Sequence, residues 1–167
     1  DRWCGTTILC QLFYPAIAAE LRYAVARYLD DASVVDLPVA PKALIVPHAG
    51  YIYSGSTAAA AYASIGARRS CIRRIVLMGP SHRVYFQGIA VPEWHEFVTP
   101  LGNVRIDEAQ KAALLARGDV IASDAPHALE HSLEVQLPFL QELFEDFTLL
   151  PLVAGVIHGA DVGPHRE

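Results

Sequence analysis

The sequence predicts an α/β domain in which helices flank a central sheet that is mostly parallel or mixed. Three short apolar runs, at 43–46, 73–78 and 147–154, are typical of strands. Segments with helical spacing or helix-forming composition lie between them, and this alternation indicates βαβ units. With 167 residues, 53% of them hydrophobic, the chain is long enough for one domain with a sizeable core.

The first helix is predicted to follow Pro15, where an apolar stripe begins. Ile17, Leu21 and Val25 recur at i, i+4 spacing, which places them on one helical face. The next element is the run 43–46, a continuous Ala-Leu-Ile-Val sequence that is followed by a proline. We expect a strand there that is buried on both faces.

A loop and a second helix are predicted to connect this strand to the next one. Gly50 and Gly55 bracket the predicted loop. The alanine-rich stretch 56–65 is a strong helix former, and Gly66 is placed to end it. The run 73–78 is then predicted to be the second buried strand, followed by a Gly-Pro-Ser turn.

The second half of the chain continues the alternation. A short strand is predicted at 88–91 and a turn at 99–102. Asp107 is placed to cap a helix that runs to about Arg117. Pro126 suits the first position of a further helix, which a second proline, at 138, should kink or divide before the strand at 147–154.

Composition excludes several classes of function. The formal net charge of −5 argues against a nucleic-acid surface, and no apolar run reaches the ~18 residues that a bilayer span needs. The first residues show no signal-peptide pattern. Cys4, Cys10 and Cys71 are odd in number and irregularly spaced, which is not a disulfide framework, so we expect a cytoplasmic protein.

Two histidines follow two of the predicted strands. His48 comes directly after the run 43–46 and Pro47, and His82 follows the run 73–78 after a Gly-Pro-Ser turn. Ligands and chemistry collect at the carboxyl ends of strands in open α/β sheets. Imidazoles delivered there by two strands indicate a metal site. Taken singly, each histidine has a plainer interpretation, a hydrogen-bonded core residue at 48 and a solvated turn residue at 82.

Hydroxyl groups near these histidines are candidate pocket residues. Tyr51, Tyr53 and Ser54 follow His48, and Ser81 precedes His82. Such groups can hold a water molecule or a substrate oxygen beside an ion.

Glu130 and His131 are candidates for acid–base catalysis or for completing a ligand set. The alternative for Glu130 is an acidic group that merely favours a helix N-terminus. His127 and His131 also match the H-x-x-E-H pattern of some zinc peptidases. Five-residue patterns arise by chance, so this interpretation carries little weight.

Five blocks in order resemble the Memo-like family, also called the AmmeMemoRadiSam system protein B family. They contain a Phe-Tyr-Pro opening, a Pro-His-Ala-Gly-Tyr-Ile-Tyr-Ser-Gly block, a Gly-Pro-Ser-His block, a Thr-Pro-Leu-Gly turn and a Glu-His-Ser-Leu-Glu block. These blocks are Phe13–Pro15, Pro47–Gly55, Gly79–His82, Thr99–Gly102 and Glu130–Leu140.

The resemblance implies a sandwich similar to the class III extradiol (LigB-like) non-haem iron dioxygenases. It implies that His48 and His82 bind a metal, iron or copper, with zinc as the alternative. The family's third ligand, a downstream cysteine, has no counterpart in this chain. The resemblance therefore implies that residues 11–155 form the N-terminal portion of the family domain, truncated at its C-terminus, with irregular ends at 1–10 and 156–167.

The resemblance leaves three functions open. The first is a metal protein with a dioxygenase-like or redox site, which would make it a non-haem metal-dependent oxidoreductase. The second is a non-catalytic module that binds a peptide or a protein in the same pocket. The third is an accessory role beside a radical-SAM partner. Neither the substrate, the oligomeric state nor turnover by this chain follows from the sequence.

Overall fold

The computed structural model describes residues 3–4, 11–34, 39 and 41–156. Most of the predicted irregular ends, at 1–2, 5–10 and 157–167, lies outside these ranges. The helices are α1 (Ala18–Asp30), α2 (Tyr51–Ala63), α3 (Glu108–Arg117), α4 (Ala125–Ala128), α5 (His131–Glu134) and α6 (Leu137–Leu143). The strands are β1 (Trp3–Cys4), β2 (Arg74–Pro80), β3 (Ile89–Val91), β4 (Glu96–Thr99), β5 (Gly102–Arg105), β6 (Ile121–Ala122) and β7 (Thr148–Ala154).

The larger sheet is mixed, as the sequence predicts. Its strand order is β2-β7-β3-β6. The pairs β2–β7 and β3–β6 are parallel, whereas β3 runs antiparallel to β7. A smaller sheet has the order β1-β4-β5, in which β4 and β5 form a hairpin around the predicted turn at 99–102.

Helices cover both faces of the larger sheet. The main core lies between the sheet and α1, α2 and α6, and it contains Leu21 and Val25, which are fully buried. A smaller cluster on the opposite face joins Leu150 and Leu152 of β7 to α3. This arrangement confirms the predicted fold class. Of the helices in the described ranges, none combines the length and apolar character that a bilayer crossing requires.

Two predicted helices, α1 and α3, form where the sequence carries an apolar stripe or capping residues. Leu21 and Val25 of the predicted stripe face the core from α1, whereas Ile17 precedes the helix and is 59% exposed. Asp107 caps α3 by accepting a hydrogen bond from the backbone N–H of Gln110 at 3.1 Å. Gly118 ends α3 with a positive φ of 76°, a conformation that glycine adopts without strain.

The predicted strand at 43–46 is wrong. The chain forms no regular secondary structure there and belongs to neither sheet. Leu44 and Val46 pack against the core, whereas Ile45 between them is 100% exposed. An apolar run indicates burial. A β-strand also needs a neighbouring strand to which its backbone can hydrogen-bond, and the run does not supply one.

The predicted loop between Gly50 and Gly55 is also wrong, because α2 already begins at Tyr51. The backbone N–H groups of Tyr53 and Ser54 donate to the carbonyl of Gly50 and form the first turn. Tyr51 anchors this turn in the core, where its ring lies 5.0 Å from that of Phe139. Tertiary packing therefore outweighs the turn preference of the two glycines.

The helix predicted to start near Pro126 is divided into the three short helices α4, α5 and α6. Pro138 lies in the first turn of α6, so the predicted division at this proline is confirmed and there is no kinked longer helix. The first break, at Glu130, brings this residue and His131 to the carboxyl end of β2.

Candidate metal centre

His48 lies between the segment 41–47, which belongs to neither sheet, and the start of α2. Two side chains fix the backbone on either side of it. Gln136 donates from Nε2 to the carbonyl of Pro47 at 3.0 Å, and Ser54 donates from Oγ to the carbonyl of Ala49 at 3.0 Å. Because the turn is held at both ends, the half-buried His48 imidazole has a defined direction.

His82 lies two residues beyond β2, and a short turn holds it there. The backbone N–H of Ser81 donates to the carbonyl of Ala154 at 2.8 Å, and its hydroxyl donates to the carbonyl of Val84 at 2.7 Å. The backbone N–H of His82 donates to Oε2 of Glu130 at 2.6 Å. The strand end, the turn and a buried carboxylate thus position this histidine together.

Glu130 is the buried carboxylate of the site, with an exposed fraction of 3%. Its Oε1 lies 2.9 Å from Nδ1 of His82 and also accepts the backbone N–H of Ser132 at 2.9 Å, which caps α5. Burial alone would raise the pKa of Glu130, but the hydrogen bonds from His82 and Ser132 outweigh it and hold the pKa below its usual value. Glu130 is therefore a carboxylate that orients His82.

His131, the first residue of α5, stacks on the ring of Phe13 at a centroid distance of 4.3 Å. Its Nδ1 is buried and has no hydrogen-bond partner, although it lies 3.4 Å from Oε1 of Glu130. Burial lowers the pKa of His131, and the nearby His82 and His48 lower it further, against the pull of Glu130. The neutral form, which binds metals, is therefore favoured.

Three imidazoles converge at this point. The ring centroids of His48 and His82 are 5.2 Å apart, those of His48 and His131 are 5.9 Å apart, and those of His82 and His131 are 4.7 Å apart. Burial, followed by the proximity of His82, lowers the pKa of His48. The predicted convergence of His48 and His82 therefore holds, and His131 joins them.

A close approach of β2 to α5 sets this geometry. A Cβ atom on Gly79 would lie 2.6 Å from the Oγ of Ser132, so only glycine fits there without a shift. The same Oγ donates to the carbonyl of Pro80 at 3.0 Å. This contact locks the end of β2 to the helix that carries His131.

The structure places the predicted hydroxyl groups mostly outside the imidazole cluster. Tyr51 is 5% exposed, and its hydroxyl donates to the carbonyl of Val135 in the core at 2.8 Å. Tyr53 is 79% exposed on α2. The hydroxyls of Ser54 and Ser81 donate hydrogen bonds to backbone carbonyls in the turns that hold His48 and His82.

The peptidase-like pattern does not form one face of a helix, because His127 lies on α4 and His131 on α5. His127 is 2% exposed, and its Nε2 lies 3.1 Å from the carbonyl of Ala90. Its ring packs edge-on against Trp94 at 5.9 Å. His127 is therefore a core histidine.

The cluster is open to solvent on one side. A depression of about 900 Å³ is lined by the segment 44–49 together with Thr57, Met78 and His131. A small molecule can therefore reach His48 and His131 without any rearrangement of the core.

The side chains present fit a metal ion. Donor atoms of His82, Glu130 and His131 all lie within 4.8 Å of one another, so this group could hold one. Imidazole nitrogens suit zinc, copper and iron.

Sequence comparison identifies the family. The family model described as Memo-like protein matches residues 9–161, which is nearly the whole chain. The chain belongs to the Memo-like family. Its relatives in this family include the MEMO1 family proteins of Ignicoccus hospitalis, 41% identical over 154 residues, and of Methanobrevibacter smithii, 40% identical over 116 residues.

The match covers only part of these Memo-like relatives. The aligned regions span 86% and 69% of this chain but 54% and 41% of the two relatives. The chain therefore spans about half the length of the curated relatives that it matches.

Sequence reasoning missed the contacts that organise this Memo-like site. It placed Glu130 near an acid–base role but did not show that the carboxylate binds His82 twice. It did not predict the stacking of Phe13 on His131 or the bond from Gln136 to Pro47. The only available signal was that all of these residues lie in the blocks that resemble the family.

Proposed function

We propose that this chain carries a metal centre whose ligands are the imidazoles of His48, His82 and His131. The observation that carries the proposal is the convergence of the three rings, with centroids 4.7 to 5.9 Å apart. Three imidazoles that share one ion through bonds of about 2 Å have centroids about 5 Å apart at tetrahedral angles. The observed separations bracket that value.

Glu130 supports the ligands in this proposal and is not one of them. Both of its oxygens already accept backbone N–H groups, one from His82 and one from Ser132. Its Oε1 also faces Nδ1 of His82 and Nδ1 of His131. Carboxylates in this position fix the ring orientation and leave Nε2 as the ligand nitrogen.

The imidazole ligands restrict the metal to iron, copper or zinc. Iron or copper bound to imidazoles supplies redox or dioxygenase-like chemistry, and zinc is the alternative that fits the same nitrogens. The open depression beside His48 and His131 gives a substrate access.

The test is the metal content of purified variants. The chain is loaded anaerobically with Fe(II) or with Cu(II), desalted, and analysed for bound metal. His48→Ala, His82→Ala and His131→Ala should each lower the bound metal at least about tenfold, because two ligands seldom hold an ion tightly. The matched control is His95→Ala, since His95 is exposed and has the same contact, Nδ1 to a carboxylate of Glu108 at 2.9 Å.

Equal metal in the wild type and in the three site variants would remove the proposal. A loss that also appears in His95→Ala would point to adventitious surface binding. Binding of a peptide or a protein that survives His48→Ala would instead favour a non-catalytic binding module.

A further inference from the structure

Arg83 lies at the edge of the candidate metal centre, directly after His82. The Cα atoms of two such neighbours are about 3.8 Å apart. The turn 81–84 holds this position, because the hydroxyl of Ser81 donates to the carbonyl of Val84 at 2.7 Å and accepts the backbone N–H of Val84 at 3.4 Å. The backbone of Arg83 is therefore fixed beside the imidazole cluster.

The side chain of Arg83, in contrast, is exposed and unpaired. Within the described ranges its guanidinium makes no hydrogen bond and no ion pair, whereas Arg22, Arg105 and Arg117 each pair with a carboxylate. An arginine presents its N–H donors in a planar fork that matches the oxygens of a carboxylate or a phosphate. The whole fork of Arg83 is therefore available to a ligand.

The positive charge of Arg83 reaches the imidazole cluster. Burial has the largest effect in lowering the pKa of His131, and the charge of Arg83 is one of the weaker causes that lower it further. His131 also lines the depression that opens beside His48. A molecule that enters this depression therefore comes within reach of the same guanidinium.

The walls of the depression, as far as the described residues define them, are mainly apolar and include no acidic side chain. They consist of the segment 44–49 with Thr57, Met78 and His131. The carboxylate of Glu130 is buried and already accepts N–H groups from His82 and Ser132. In a chain with a net charge of −5, this opening combines an apolar surface with an unpaired cation, and that combination favours an organic anion.

We propose that the substrate of the candidate metal centre is a small organic anion and that Arg83 binds its charged group. The group is a carboxylate or a phosphate, because the guanidinium fork bonds two oxygens of either one at once. The apolar body of the molecule lies in the depression, beside the imidazoles. This inference rests on the proposed metal centre for the reaction but not for binding, since the ion pair with Arg83 needs no metal.

The test is ligand binding to the metal-free chain, followed by NMR of the imidazole protons of His82 and His131. The ligands are cyclohexanecarboxylate, cyclohexyl phosphate and the neutral cyclohexanecarboxamide, which share one apolar ring. We expect at least one of the two anions to bind about tenfold more tightly than the amide and to shift the His131 signals. The anion that binds more tightly distinguishes a carboxylate substrate from a phosphate substrate.

Arg83→Gln should remove this preference, so that the better anion binds about as weakly as the amide. The matched control is Arg69→Gln, which removes the same charge. Arg69 is exposed, and within the described ranges its side chain also makes no hydrogen bond or ion pair. It lies before β2, whereas Arg83 follows that strand, so Arg69→Gln should leave the preference unchanged.

Equal affinity of the anions and the amide in the wild type, or no shift of the His131 signals with any ligand, would overturn the proposal whether or not Arg83→Gln folds. A preference that survives Arg83→Gln would also overturn it. So would a preference that is lost equally in Arg69→Gln, because it would reflect only the net charge of the chain. The assay contains no metal, so a failure of the metal centre would leave its result unchanged.

Discussion

Glu130 holds His82 by two separate contacts: Oε2 accepts the backbone N–H at 2.6 Å, and Oε1 faces the ring Nδ1 at 2.9 Å. The backbone and the imidazole of this residue are therefore fixed by one buried carboxylate. Because the hydrogen bond occupies Nδ1, the ring presents Nε2 to the cluster. The orientation of His82 is thus built into the protein before any ion binds.

Glu130→Gln should weaken metal binding by about 10- to 100-fold. The amide replaces one acceptor oxygen by an N–H donor that faces backbone donors, so His82 loses its fixed direction. The measurement is a metal titration followed by absorption spectroscopy with Co(II). Glu108→Gln is the matched control, because Glu108 makes the same contact with the exposed His95. Unchanged affinity and an unchanged spectrum in Glu130→Gln would show that the carboxylate has no orienting role.

Gly79→Ala should destabilise the fold by about 1–3 kcal/mol, because the added Cβ would overlap Ser132. Urea unfolding measures the change, and metal affinity should fall with it because α5 must move. Gly66→Ala is the control, since the nearest atom to its added Cβ would be a Leu143 methyl group at 4.0 Å. If both variants unfold at the same urea concentration, the close approach of β2 to α5 is absent in solution.

Gln136→Leu should cost about 1–3 kcal/mol, because it leaves the buried hydroxyl of Tyr62 and the half-buried carbonyl of Pro47 without their partner. Gln136 accepts from the hydroxyl of Tyr62 at 2.9 Å and donates to the carbonyl of Pro47. The double variant with Tyr62→Phe should be less destabilised than the sum of the single variants. Gln110→Leu on the exposed side of α3 is the control. Strict additivity would contradict the coupling of these two side chains.

His127 should make stability depend on pH. Burial lowers its pKa from 6.5 to about 4 in the folded chain. Between these values the unfolded chain binds the extra proton, so stability is lost as the pH falls from about 6.5 to about 4, by about 3 kcal/mol in all. Urea unfolding at pH 7 and pH 4.5 should therefore show a smaller loss in His127→Gln than in the wild type, with His95→Gln as the control. Equal losses in the wild type and in His127→Gln would show that His127 is not buried in its neutral form.

Much of the fold could be predicted from local pattern. The stripe of Leu21 and Val25, and the caps at Asp107 and Gly118, specify their helices within a few residues. The strand at 43–46 could not be predicted correctly, because a ladder depends on a neighbour that the run itself does not encode. The start of α2 depends on packing of Tyr51 against Phe139, which is far away in sequence.

The candidate site, like the fold, could be predicted only in part from the sequence. The prediction that His48 and His82 meet was correct, although in the described residues the segment before His48 belongs to neither sheet. The role of Glu130 could not be read from its place in the sequence, because its contacts with His82 join residues 48 positions apart. His131 was recognised as chemically interesting, but its stacking on Phe13 and its entry into the cluster required the tertiary structure.

The central claim is that one ion binds to His48, His82 and His131 together. Crystals of the chain soaked with Zn(II) or Cu(II), with anomalous diffraction recorded at the metal edge, test it most directly. We expect a single strong anomalous peak within bonding distance of Nε2 of all three imidazoles, with Glu130 still hydrogen-bonded to His82. A peak bound to the carboxylate of Glu130 instead, or no peak within reach of the three rings, would contradict it.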